Sequence, residues 1–199
     1  QMLEQAVVGP DVTRIPDRLQ VVETSWETWK TMYPTTALLT RDTGYSRDYD
    51  DYPYGDYLET ERVIFPVNNE WDNRIWDKTR VLGINVGDSS KVYPINVFTG
   101  GVEVINDITG DMQTVVAGSS TLNFGVVYNR QLEDCTVLEF EAVQDRLPVV
   151  MRDKEGNEWD VFGVAVSGER TGQRLQKTNS YIALWFAWTA FFPGADIHQ

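Results

Sequence analysis

Residues 80–97, RVLGINVGDSSKVYPINV, consist of two β-prone runs on either side of a polar turn. Gly87-Asp88-Ser89-Ser90 is a turn signal, and the flanking runs 80–86 and 91–97 are rich in valine and isoleucine. Two such runs at close spacing predict neighbouring strands of an antiparallel sheet.

The same alternation of apolar runs and turns continues along the chain. Further turn signals are Gly100-Gly101, Thr109-Gly110-Asp111 and Asp153-Lys-Glu-Gly156. The predicted strands are 63–67, 80–86, 91–97, 102–106, 113–117, 121–128, 136–143, 147–152, 158–167 and 173–177. We therefore expect a mainly β fold of the α+β class, whose antiparallel sheet is barrel-like or sandwich-like.

Two short tryptophan-containing helices are predicted, one near each end of the chain. The first begins after Thr24 or Ser25, which can cap it, and stops at Pro34. A short strand is predicted next, over Thr36–Thr40. The second helix is predicted over 179–192, with Asn179 or Ser180 as its cap and Pro193 after its end.

Length and charge limit the possible functions. The chain has 199 residues and a formal net charge of −13. We expect an extended N-terminal segment over 1–20 and a single domain over 21–199. Binding to nucleic acid is not expected, because phosphates need clustered lysine and arginine. Membrane insertion is not expected either, because the longest apolar run, 181–192, is too short to span a bilayer.

Residues for catalysis and metal binding are scarce. The chain has one cysteine, Cys135, and one histidine, His198, which stands next to the C-terminus. Together they cannot build a closed zinc site, and a Ser-His-Asp triad would depend on that terminal histidine. Cys135 stands among acidic residues and is predicted to be unreactive. We therefore predict no catalytic residue, no cofactor and no transition metal.

Residues 41–60 differ from the rest of the chain because they have almost no aliphatic side chains. They are predicted to form a long loop, the kind of segment where function tends to lie. Tyrosine rings offer contact area with a polar tip, and arginine can bind a carboxylate or phosphate through two hydrogen bonds. The candidate binding residues are Tyr45, Arg47, Asp48, Tyr49, Tyr52, Tyr54 and Tyr57. The alternative is a structural loop that packs its rings on the sheet and pairs Arg41 and Arg47 with its own carboxylates.

Two other polar features have simpler interpretations. Calcium is a weak candidate ligand of the loop, because its aspartates supply oxygen ligands at a spacing that matches no EF-hand. These aspartates are Asp48, Asp50, Asp51 and Asp56. Asn106-Asp107 is predicted to be a turn former at the end of a strand.

An internal repeat links the two predicted helices. Trp26-x-x-Trp29-x4-Pro34 recurs as Trp185-x-x-Trp188-x4-Pro193. If the repeat is structural rather than chance, both helices pack against one sheet in related ways, and Trp29 and Trp188 are both buried.

Several segments in order along the chain resemble one known family. They are Trp26-Glu-Thr-Trp-Lys-Thr-Met-Tyr-Pro34, Asp42-Thr-Gly-Tyr-Ser-Arg-Asp-Tyr49, Tyr52-Pro-Tyr54, Phe65-Pro-Val67, Lys78-Thr-Arg-Val-Leu-Gly83, Val92-Tyr-Pro94, Asn106-Asp107, Trp159-Asp160, Gly163 and Leu184-Trp-Phe-Ala-Trp188. In these segments the chain resembles the DUF3179 family, a group of exported bacterial and archaeal proteins of unknown function. The resemblance implies an extracytoplasmic protein, periplasmic or secreted, that is mature after signal removal.

The chain also departs from the pattern of that family. Many relatives carry a histidine before the Asn-Asp pair and a Cys-Pro-Leu-Cys sequence after it. Those positions correspond here to Val102, Ser119 and Leu122. The resemblance therefore implies that any metal or redox chemistry of those relatives is absent from this chain.

We predict a non-catalytic extracytoplasmic protein that binds another protein or itself, as an accessory or assembly subunit of a larger complex. The alternative is a small-ligand or sugar-binding module that uses loop 45–57, and a hydrolase of unknown substrate is a third candidate. Self-association in light scattering would favour the first function, whereas a ligand-induced melting shift would favour the second.

Overall fold

The computed structural model describes residues 6–15, 19–64, 67 and 72–199. Most of the regular structure is β, as predicted. In chain order the elements are α1 (Trp26–Met32), β1 (Arg80–Val86), β2 (Ser89–Pro94), a 3-10 turn (Ile95–Val97), β3 (Glu103–Thr109), β4 (Met112–Ser119), β5 (Phe124–Asn129), β6 (Phe140–Ala142), β7 (Val149–Asp153), β8 (Glu158–Asp160), β9 (Ala165–Ser167), β10 (Gln176–Lys177), β11 (Asn179–Leu184), α2 (Trp185–Thr189) and β12 (Asp196–Ile197).

The strands form three four-stranded sheets. Sheet A has the order β11-β1-β2-β12, sheet B the order β10-β5-β4-β3, and sheet C the order β6-β7-β8-β9. The pairs are antiparallel except for β12 beside β2, which is parallel. The predicted mainly β, antiparallel fold is therefore confirmed. Its described strands are arranged as in a sandwich and do not close into a barrel.

Sheet B lies in the middle, with both faces buried. Successive side chains of a strand point to opposite faces, and β4 shows this clearly. Val116 packs with Leu82 and Tyr93 of sheet A. Val115, its neighbour in the strand, packs instead in the core that contains Trp159 of sheet C.

Helix α2 covers the other face of sheet A. Its Trp185 and Trp188 are fully buried against Val81 and Val92. Gly83 lies directly beneath Trp188, since a Cβ atom added there would stand 2.3 Å from the indole ring. The absence of a side chain at this position of β1 lets the ring approach the strand closely.

Helix α1 begins as the sequence predicts. The Ser25 hydroxyl accepts a hydrogen bond from the Thr28 N–H at 3.2 Å, which satisfies one of the free donors of the first turn. Met32 then reaches the core between sheets B and C. Trp29 and Tyr33 contact the ring of Phe162.

The predicted helix over 179–192 is wrong in its first half. Residues 179–184 form strand β11, which pairs with β1 in a register that places Ile182 opposite Leu82. Asn179 and Ser180 are therefore strand residues and not helix caps. Tyr181 and Ile182 favour strands, and an apolar run does not show where a buried strand gives way to a buried helix.

Three predicted strands also need correction. Residues 36–40 contain no strand, and neither do 63 and 64, whereas 65 and 66 lie outside the described residues. The predicted strand 158–167 is divided into β8 and β9 at Gly163, whose φ of +69° turns the chain.

The repeat does not describe related packing. Trp188 is fully buried, as predicted, but Trp29 is only half-buried. Helix α1 contributes to the core between sheets B and C, whereas α2 packs on the far face of sheet A. The expectation that both helices pack against one sheet is therefore wrong.

The described residues before helix α1 make a few hydrogen bonds. Within 6–14 the backbone turns back, because Ala6 N–H donates to the Arg14 carbonyl at 3.0 Å. Further along, Thr24 donates to the Leu122 carbonyl at 2.9 Å. Among the residues that the structure describes, no helix is long and apolar enough to cross a membrane.

Candidate functional site

The candidate binding loop presents its aromatic side chains to solvent. Tyr45, Tyr49, Tyr52 and Tyr54 each have between 44% and 73% of their surface exposed. We call these four residues, together with Arg47, the tyrosine surface. The guanidinium of Arg47 lies 5.9 Å from the centre of the Tyr45 ring, a cation–π geometry that leaves its hydrogen-bonding groups on the surface.

A buried lysine anchors the end of this loop. Lys78 is only 3% exposed. Its ammonium donates to the Tyr57 carbonyl and, at 2.7 Å, to the Arg62 carbonyl, and it lies 3.8 Å from the centre of the Tyr57 ring. Tyr57 then contacts Tyr54, with ring centroids 6.5 Å apart. The anchor thus connects Lys78, in the segment before β1, to the exposed rings.

An exposed ion pair links two positions within the loop. Arg41 donates two hydrogen bonds to the Asp50 carboxylate, at 2.5 and 2.6 Å. These hydrogen bonds, and then the charge of Arg41, lower the pKa of Asp50. The hydroxyl groups of Thr43 and Tyr49 lie within hydrogen-bonding distance, at 2.7 Å. Bidentate pairing restricts geometry more than a single contact does.

The geometry of the loop fits parts of both interpretations, the binding surface and the structural loop. Arg41 pairs with a carboxylate of its own loop, as the structural alternative expects, but the exposed tyrosines are not packed into the sheets. Asp48 accepts a hydrogen bond from the Asp50 N–H at 3.0 Å. The assignment of 45–57 as a binding surface stays a prediction.

The aspartates of the loop are not arranged as a calcium site. Asp50 is occupied by Arg41. Among the described residues, no group of three or more histidine, cysteine, aspartate or glutamate side chains could hold a metal ion.

Sequence reasoning missed a polar cluster between sheets A and B. Asp107 accepts hydrogen bonds from the Lys91 ammonium at 2.6 Å and the Tyr93 hydroxyl at 2.7 Å. It lies inside β3, so the interpretation of Asn106-Asp107 as a turn former at a strand end is wrong. The signal available in the sequence was that Val92-Tyr-Pro94 and Asn106-Asp107 both carry the family resemblance.

Burial and hydrogen bonding have opposite effects on the pKa of Asp107. Desolvation raises the pKa of its carboxyl group, but the hydrogen bonds from Lys91 and Tyr93 outweigh burial and leave the pKa lowered. Burial and the adjacent carboxylate raise the pKa of Tyr93 strongly. The cluster therefore holds an ionised Asp107 and a protonated Tyr93 at neutral pH.

Asn106, the other member of the pair, joins sheet B to sheet C. Its side-chain amide donates to the Phe140 carbonyl at 2.7 Å and accepts from the Phe140 N–H at 2.9 Å. One side chain thus satisfies both backbone groups of a β6 residue, much as a neighbouring strand would.

Asp107→Asn should lower the free energy of unfolding at pH 7 by about 1.5–3 kcal/mol, the usual range for hydrogen bonds to a charged group. Because the folded-state pKa is lowered, this contribution is present above the unfolded pKa and is lost as the pH falls through the folded value. Melting temperatures of both proteins between pH 2 and 7 should converge in acid. A constant difference down to pH 2 would contradict this assignment.

Cys135 lies in an open cleft of about 790 Å³ that is also lined by Arg170 and Arg174. The cysteine is exposed and unpaired. Arg170 is held by Glu155, with distances of 2.5 and 3.0 Å between their polar atoms. The prediction that the thiol is unreactive stays open.

One of three comparisons with known proteins identifies a family. Searches among curated proteins and among solved structures found no match. The family model described as a protein of unknown function, DUF3179, matches residues 1–195. The chain therefore belongs to the DUF3179 family.

Proposed function

We propose that this chain is a non-catalytic subunit that binds another protein through the tyrosine surface, outside the cytoplasm. The observation that carries the proposal is the exposure of four tyrosine rings on a loop whose C-terminal end is held by Lys78 and whose first half is bridged by the Arg41–Asp50 ion pair. The extracytoplasmic location follows from the resemblance to exported proteins.

The anchors lower the cost of binding. Ordering a free loop on association costs conformational entropy, and a surface held in advance avoids part of that cost. Lys78 fixes the C-terminal end of the loop, and the exposed Arg41–Asp50 pair links two positions within it. Tyrosine and arginine are also enriched among the residues that dominate binding energy at protein interfaces.

Charge favours a basic partner. Asp48, Asp51 and Asp56 belong to the same loop, and the chain as a whole carries a net charge of −13. Lysine and arginine side chains of a partner could pair with these carboxylates and lie over the tyrosine rings. Two identical acidic surfaces would repel each other, so a different protein is favoured over a second copy.

The alternatives fit the described geometry less well. A small ligand needs a concave site, and the clefts that contain Cys135, Trp76 and Gln20 are lined by residues outside 45–57. For a hydrolase, the partly buried carboxylate of Asp107 is already occupied, because it accepts hydrogen bonds from Lys91 and Tyr93.

The double variant Tyr49→Ser/Tyr52→Ser tests the proposal. Both rings are about half exposed, so the melting temperature should stay nearly unchanged. Affinity for the partner should fall at least tenfold, which corresponds to ~1.4 kcal/mol. The measurement is quantitative mass spectrometry of proteins retained from the native host by wild-type and variant chains, followed by a titration with the purified partner.

A matched control is Ile108→Ser/Val166→Ser, which changes two other exposed side chains. It should retain the partner at the wild-type level. If the tyrosine variant also retains it, or if it unfolds while the remaining folded protein binds normally, the loop is structural and the proposal is wrong. Light scattering over a range of concentrations separates a partner protein from a second copy.

A further inference from the structure

A groove of about 850 Å³ lies at the β12 edge of sheet A, lined by residues that the proposed function does not use. One wall is the segment 74–79, the other is the chain from Asp196 to Gln199, and Pro94 lies between them. The volume is in the range of sites that bind small molecules.

Both walls of the groove are fixed by hydrogen bonds. The backbone N–H of Trp185 donates to the Thr79 carbonyl at 2.9 Å, and its indole N–H donates to the Asp72 carbonyl at 2.7 Å. On the other side, the His198 N–H donates to the Val92 carbonyl at 2.9 Å. The His198 ring also packs on Tyr93, with centroids 5.1 Å apart. The site is therefore formed before any ligand arrives.

Trp76 gives the groove an exposed aromatic side chain. It is 46% exposed, about as much as Trp26 on helix α1, whereas Trp159, Trp185 and Trp188 are fully buried. Among the described residues, its indole takes part in no ring pair. An exposed indole offers a flat apolar face on which a ligand can pack.

Polar side chains of the same groove have hydrogen-bonding groups available for a ligand. Asn96, Asp196 and Gln199 line the groove, and none of their side chains hydrogen-bonds another residue in the described part of the chain. Two amides and a carboxylate offer both donors and acceptors. A ligand with many hydroxyl groups, each of which donates and accepts, suits this mixture.

The charges of the groove are close to balance. The Arg74 guanidinium pairs with Asp72 at 2.6 Å and lies 5.3 Å from the centre of the Trp185 ring. The hydrogen bonds that Arg74 donates to Asp72 raise the pKa of Arg74, and Asp196 adds to this effect through its charge. One cation among these acids favours neither a strongly anionic nor a strongly cationic ligand.

We propose that this groove binds a neutral carbohydrate, with the apolar face of one sugar ring on Trp76 and its hydroxyl groups on Asn96, Asp196 and Gln199. An aromatic platform with a few polar groups around it is the usual composition of a small-molecule site. The site is separate from the tyrosine surface and does not depend on the proposed function.

The test is a titration of the full chain with cellohexaose, chitohexaose and maltohexaose, followed by calorimetry and tryptophan fluorescence. At least one of these probes should bind and perturb the fluorescence. Trp76→Ala should weaken that binding at least tenfold and leave the melting temperature nearly unchanged. Trp26→Ala is the matched control, because Trp26 is 45% exposed on helix α1, and it should bind as the wild type does.

Three outcomes would overturn the proposal. One is that none of the three oligosaccharides binds, and another is that binding is unchanged in Trp76→Ala. The third is that tetralysine binds through Trp76 while the oligosaccharides do not, which would make the groove a cation site. The Tyr49→Ser/Tyr52→Ser variant should bind oligosaccharide as the wild type does. The proposal for the groove and the proposal for the tyrosine surface can therefore be refuted independently.

Discussion

Replacing Trp188 with alanine is expected to lower the free energy of unfolding by about 3–5 kcal/mol, the usual cost of truncating a fully buried aromatic side chain. The ring lies between Tyr181 and Phe192, with centroid distances of 4.9 and 4.8 Å, and its N–H donates to the Ser90 hydroxyl at 3.0 Å. Removing it loses these contacts and leaves a cavity above Gly83. The loss is a large share of the ~5–15 kcal/mol that stabilises a typical domain.

Urea denaturation of the variant measures this effect. Trp26→Ala on helix α1 is the control and should cost much less, because that ring is 45% exposed. Gly83→Ala tests the contact from the other side, since its new Cβ atom would stand 2.3 Å from the indole and should destabilise the fold. In the double variant the two costs should not add, because alanine at 83 then occupies space that the ring has left. A cost below about 1 kcal/mol for Trp188→Ala would contradict the assignment of this ring to the core.

Local pattern predicted most of the strands because their turns are marked in the sequence. Gly87 and Gly110 have positive φ angles and stand at the turns after β1 and β3, as the glycine and aspartate signals indicate. The C-terminal part of the sequence has no such turn signal between its last long strand and helix α2. Residues 181–192 are continuously apolar because β11 contributes to sheet A and α2 covers it, so no polar residue marks the boundary at Trp185.

Composition located the tyrosine surface, but it could not locate contacts between distant strands. Lys91 and Asp107 meet because β2 and β3 belong to different sheets that pack face to face. The groove at Trp76 likewise depends on β12 pairing with β2, and a two-residue strand gives almost no sequence signal. Side chains whose roles depend on such packing become visible only in the folded chain.

The role of Asp153 also depends on contacts that the sequence does not reveal, and it supports a second prediction about stability. The sequence indicates only a turn at Asp153-Lys-Glu-Gly156, but the Asp153 side chain is buried beneath the hairpin of β7 and β8. Its carboxylate accepts hydrogen bonds from the Asn157 N–H, the Asn157 amide and the Trp159 indole N–H, each at 2.9 Å. Trp159 and Asn157 are themselves buried, so water cannot replace the carboxylate as the acceptor for these donors.

Asp153→Ala is therefore expected to lower the free energy of unfolding by about 2–4 kcal/mol, because it leaves several buried donors unsatisfied. Asp153→Asn should cost less, since one oxygen remains as an acceptor, but the new amide hydrogens would face the donors of Asn157 or Trp159. Asp111→Ala, at the exposed turn between β3 and β4, is the matched control and should change stability by no more than about 0.5 kcal/mol. Chemical denaturation with tryptophan fluorescence measures all three variants. Equal stability of Asp153→Ala and Asp111→Ala would show that the Asp153 carboxylate does not stabilise the hairpin. If its acceptor atoms stabilise the hairpin, the free energy of unfolding should be lowest for Asp153→Ala, intermediate for Asp153→Asn and highest for the wild type.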